Sequence, residues 1–77
     1  MALGKERLVS VVDPEGRAVA VACSNARQAE DVVRYYREPY TLITVIGEDD
    51  GVPRALERYA VSSGGKLVRA GARRRKE

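Results

Sequence analysis

Histidine, tryptophan and phenylalanine are missing from these 77 residues, and cysteine, methionine, asparagine and glutamine occur once each. With no histidine and no lysine set beside the carboxylates, an acid/base pair cannot be assembled from these residue types, so conventional catalysis is the outcome least expected. The lone cysteine, Cys23, excludes an internal disulfide. No apolar run reaches the length of a signal h-region or a membrane span, so a cytoplasmic protein without membrane attachment is expected. The missing large aromatics leave Val, Ala, Leu and Tyr to fill the interior. A domain of this size buries only about 60 % of the surface its unfolded chain exposes, so self-association is a natural supplement to a thin core.

What is present describes a folded chain. Apolar residues make up 44 % and charged residues 32 % of the sequence, the balance of a globular domain rather than a disordered one. Arg outnumbers Lys by eleven to three, a usage that suits a thermophilic or GC-rich source. The net charge of +3 is unevenly spread. Residues 1–65 are slightly acidic, whereas residues 66–77 hold Lys66, Arg69, Arg73, Arg74, Arg75 and Lys76 against the single acid Glu77. A folded domain over residues 1–70 with a basic, flexible tail over 71–77 is the expected organisation.

Arg7 to Val12 is β-branched and leads into Asp13-Pro14-Glu15-Gly16, with proline at the second turn position and glycine at the fourth. A hairpin follows, its return strand Arg17 to Cys23 apolar on both faces and therefore expected in the sheet interior. Asn25 and Gln28 make a capping-box start for a helix expected to run to about Glu38, where Pro39 ends it. Tyr40 to Ile46 is the strongest strand signal and also reads as central. After Glu48-Asp49-Asp50-Gly51, Pro53 and the spacing of Val52, Leu56, Tyr59, Ala60 and Ser63 predict a second helix, stopped by Gly64-Gly65. A last strand covers Lys66 to about Ala70. The expected fold is an α+β two-layer sandwich of order ββαβαβ, a four-stranded mixed sheet with right-handed crossovers and two helices on one face. Its other face should be apolar and be covered by a second copy, making a homodimer.

Three features invite a chemical reading. Cys23 stands where a strand gives way to a helix, a place that lowers a thiol pKa, and it also continues the strand face of Val19 and Val21 as a buried hydrophobe does. Glu48, Asp49 and Asp50 offer oxygens for a hard cation, but nothing converges on them, and charge compensation at the start of the second helix explains them. No metal or cofactor is expected. Gly47, Gly51, Gly64 and Gly65 lack the spacing of a phosphate loop and read as turn glycines.

The order Cys23, strand Thr41 to Ile46, Asp49-Asp50, Leu56-Glu57-Arg58-Tyr59-Ala60, Gly64-Gly65 and Leu67-Val68 resembles that of the TusA/SirA-like sulfur-carrier family. The family's Cys-Pro-x-Pro signature reads Cys23-Ser24-Asn25-Ala26 here. The resemblance implies a persulfide-carrying role for Cys23. The residues themselves point first to a small nucleic-acid-associated protein, of the RNA-binding or ribonucleoprotein type, that contacts phosphates through Lys66, Arg69, Arg73, Arg74, Arg75 and Lys76. A non-enzymatic protein-interaction module is the remaining reading.

Overall fold

The computed structural model describes residues 4–70. The chain runs β1 (Arg7–Val12), β2 (Ala18–Cys23), α1 (Ala26–Tyr35), β3 (Leu42–Asp49), β4 (Val52–Val61) and β5 (Leu67–Ala70). All pairings are antiparallel, in one five-stranded sheet of order β2-β1-β3-β4-β5. The two-helix, four-stranded mixed sheet expected from the sequence is therefore wrong: the second helix is replaced by β4, and the order is ββαβββ.

The reason lies in the turn before β4. Asp50 and Gly51 both have left-handed backbone, with φ of 55° and 78°. Two such residues make the two-residue hairpin turn whose twist matches that of the flanking strands, and Asp-Gly is among its preferred sequences. The chain must then return along β3, with Asp49 opposite Val52 and Glu48 opposite Pro53. Pro53 does not object. Alternation from the turn aims its nitrogen away from β3, toward an edge that β5, paired only with Arg58 to Val61, does not reach. A bulge then shifts the register: Val45 faces Glu57 while Ile46 faces Ala55, leaving Leu56 as the extra residue. Leu56 packs over Gly47, where an added Cβ would meet Leu56 Cδ1 at 2.7 Å.

The other two hairpins share one design. Gly16 N–H donates to Asp13 O and Asp13 N–H to Arg17 O, as Gly65 N–H does to Ser62 O and Ser62 N–H to Lys66 O. Gly16 and Gly65 supply the left-handed residue that closes each three-residue loop. The Asp13 carboxylate accepts from Arg17 N at 2.8 Å, Glu15 N at 3.0 Å and Arg17 Nε at 2.9 Å. These bonds, the Arg17 backbone N–H foremost, hold its carboxyl below the usual carboxylate range.

α1 starts as expected. Asn25 Oδ1 accepts from Gln28 N, and the Gln28 amide oxygen accepts from Ser24 N at 2.8 Å, one residue ahead of the usual box. It stops at Tyr35, short of Glu38, because Tyr36 turns extended (φ −90°, ψ 119°) and packs against the core. Tyr40, with φ 70°, then redirects the chain so that its N–H reaches Val61 O and Val61 N–H reaches Thr41 O. The core is Val9, Val11, Ile43 and Val45 from the sheet under Ala29 and Val33 of α1, with Cys23 at its rim. α1 packs over β1 and β2, so β2 lies beside it at the sheet edge and not, as its two apolar faces suggested, in the interior.

Gly51→Ala forces a Cβ into left-handed backbone, a conformation that costs a non-glycine residue about 1 kcal/mol. Chemical denaturation should show a loss of that order, whereas a helix starting at Val52 would leave Gly51→Ala neutral or stabilising.

Candidate interaction surfaces

Strand alternation sorts the sheet's side chains into two faces. Val9, Val11, Ile43 and Val45 look toward α1, so their neighbours form the opposite, outer face. Register arranges that face in three rows across the strands. One row is Ala18, Val12, Leu42, Ala60 and Val68; the middle row is Ala20, Ser10, Thr44, Arg58 and Ala70; the third is Ala22, Leu8, Ile46 and Ala55. Leu42 is 55 % and Val68 50 % exposed, and Leu8 is also exposed. Apolar side chains thus stand on a face with no element over it among the described residues; Arg58 is the one charge within these three rows, and Glu48, opposite Pro53, follows beyond the third.

On the α1 side, the single helix among the described residues leaves the β4–β5 half uncovered. An open groove of about 990 Å³ results, floored by Val45 and Leu56 and walled by Arg27, Glu30 and Arg34 of α1 against Glu57 and Arg69. Arg69 lies opposite Tyr59 on β5, bonds Glu57 Oε2 at 2.9 Å and places its guanidinium carbon 5.9 Å from the Tyr59 ring centre. The Tyr59 hydroxyl donates to Glu57 Oε1. Burial first, then the adjacent Glu57 carboxylate, pushes the Tyr59 phenol above its ordinary value. Charges of both signs are already paired here, Arg34 with Glu30 at 3.4 Å as well, and the groove shows no preference for a ligand of one sign.

The residues singled out from sequence do not converge. Lys66 is exposed at the β4–β5 turn, and Arg69 is engaged by Glu57 in the groove. Arg73, Arg74, Arg75 and Lys76 lie outside the described residues, as does the tail that carries them. Glu48, Asp49 and Asp50 occupy the end of β3 and its turn rather than a helix start, so the helix-charge explanation for them falls; Asp49 pairs with Arg54 at 3.4 Å. Among the described residues no group of three or more His, Cys, Asp or Glu is arranged to hold a metal ion. No helix among them is long and apolar enough to cross a membrane.

Cys23 ends β2 on the helix-facing side and is only 6 % exposed, its Sγ 3.8 Å from Val21 O. Ser24 and the Asn25 cap separate it from Ala26, the first helical residue. The segment Leu56 to Ala60, aligned with a carrier-family helix, lies in β4. No protein-family model, curated protein or solved structure matches the chain.

Burial at this level predicts that Cys23 resists iodoacetamide in the native protein and reacts fully only on unfolding. Mass spectrometry of the quenched reaction decides it; native labelling at the rate of a free thiol would restore a thiol role.

Proposed function

We propose that this chain is a non-enzymatic binding module that attaches to nucleic acid through its basic C-terminal end, the folded body serving as its carrier. One observation carries the reading. Residues 4–70 hold ten Lys or Arg and ten Asp or Glu, so the body is neutral, and the whole net charge of +3 belongs to residues 71–77. Body charges balanced in number neither repel a polyanion nor hold one, and attraction concentrates on Arg73, Arg74, Arg75 and Lys76. Ala70, the last described residue, lies opposite Arg58 on β5, the edge strand. Neutralising about four phosphates gives an affinity that falls roughly a hundredfold between 50 and 200 mM salt. Truncation after Ala72 should leave the melting temperature unchanged and abolish retention on a polyanion column at moderate salt; unchanged retention removes the proposal.

A second reading, a protein-interaction module, is favoured by the outer face. Its three rows span about 24 Å across five strands and roughly 15 to 20 Å along them, so two such surfaces in contact would bury an area near the 1,000 Å² that a specific interface needs. The face-to-face homodimer expected from sequence would seat Arg58 against the same aliphatic rows of its mate, whose one acid on this face, Glu48, lies two rows away from Arg58 at the end of β3. Burying a guanidinium without a partner is costly, so the better match is a flat apolar surface of another protein carrying a carboxylate opposite Arg58. A fluorescent hydrophobic probe should bind the native protein here, and the Leu42→Lys, Val68→Lys double variant should lose most of that signal while melting within a few degrees of the parent. A signal that survives both substitutions shows that this face is not the apolar surface on offer.

A further inference from the structure

We propose that two copies of the chain join edge to edge through β2, extending the sheet to ten strands across a two-fold axis perpendicular to it at Ala20. This stands apart from the nucleic-acid reading and rests on other residues.

β2 is an edge strand that pairs with β1 over all six residues, Ala18 to Cys23, without a bulge. It lacks each device by which edges are kept from pairing: Ala-Val-Ala-Val-Ala-Cys contains no charge, no proline and no irregularity. The opposite edge is different, since β5 has four residues, follows Lys66 and carries Arg69.

The direction of the free backbone groups follows from the hairpin. Asp13 N–H bonds Arg17 O, so antiparallel alternation makes Val11–Val19 and Val9–Val21 the hydrogen-bonded pairs with β1. The N–H and C=O groups of Ala18, Ala20 and Ala22 therefore point outward, unpaired, from the sheet edge. Small methyl groups at these three residues leave that row unobstructed.

The occupant is a second copy because the strand reads the same from both ends. Ala18-Val19-Ala20-Val21-Ala22 is a palindrome about Ala20. Antiparallel self-pairing centred there sets Ala20 against Ala20, Ala18 against Ala22 and Val19 against Val21, with the outward alanine groups forming about six backbone hydrogen bonds. A two-fold normal to the sheet keeps each face continuous, so the valines meet on the α1 side. There Val19, now 52 % exposed, gains the cover that α1 does not give it.

The flank of α1 above this edge agrees. Arg27, Glu30, Asp31 and Arg34 line the groove on the β4 side. The opposite flank, at helical spacing, is Gln28, Val32 and Tyr35, which is uncharged and includes Tyr35 at 80 % exposure. With α1 seated over β1 and β2, strand spacing brings it within roughly 10 to 14 Å of its mate, close to helix packing distance. Arg58 stays in solvent, unlike in a face-to-face pair.

Light scattering at micromolar concentration should give twice 8.4 kDa for the native chain. Ala20→Pro removes an outward N–H and no bond to β1, and Val19→Lys puts a charge on the edge; both should give 8.4 kDa with the native circular dichroism spectrum. Leu42→Lys, on the outer face, should stay dimeric. In the native protein the amide of Ala20 should exchange slowly, a readout that needs no variant. A monomer throughout the micromolar range, rapid exchange at Ala20, a folded edge variant that remains dimeric, or a Leu42→Lys monomer would each overturn the edge contact.

Discussion

Among the described residues one helix of ten residues covers a sheet of five strands, and most of the open surface of this molecule follows from that shortfall. A helix is about 10 Å wide with its side chains, while five strands span about 24 Å. Placed over β1 and β2, α1 encloses Val9, Val11, Ile43 and Val45 but leaves the β4–β5 half to the groove. The outer face and the β2 edge have no cover among the described residues. Each surface differs in chemistry: paired charges around Tyr59 in the groove, aliphatic rows broken by Arg58 outside, and a bare alanine ladder at the edge.

What holds the sheet together is local as much as hydrophobic. The core is built of valines with one alanine, one isoleucine and Cys23, side chains that each bury little area, so its transfer free energy at about 25 cal/mol per Å² is correspondingly modest. Three tight hairpins compensate by keeping most strand partners close in sequence, each with a glycine in left-handed backbone, Gly16, Gly51 and Gly65. The crossover from β2 to β3 over α1 is the one long connection, and β1 fills the gap between them.

The sequence was a good guide where a local signal and a tertiary role coincide. The Asp13-Pro14-Glu15-Gly16 turn, the Asn25–Gln28 cap and the apolar run of β3 all form as their residue types dictate. β4 was misread because of one residue. Val52, Arg54 and Leu56 share a face before the bulge, and Glu57, Tyr59 and Val61 share it after, so a one-residue phase slip turned a period of two into apparent helical spacing. Asp50-Gly51, a hairpin signal standing in plain view, outranked that spacing. β2 was placed inside for a different reason: apolar residues on both faces mark a central strand or an edge that pairs with something else, and sequence alone does not separate the two. The charge split between body and tail was legible throughout, since it depends on no fold.

The groove and the β4–β5 half of the outer face exist only with residues 52–61 as a strand, and nuclear magnetic resonance tests that directly. Backbone chemical shifts over this segment should be of extended type, with cross-strand contacts between Ile43 and Tyr59 and between Tyr59 and Arg69. Helical shifts from Val52 to Val61, with sequential amide contacts in place of cross-strand ones, would put a second helix over the sheet and contradict the account.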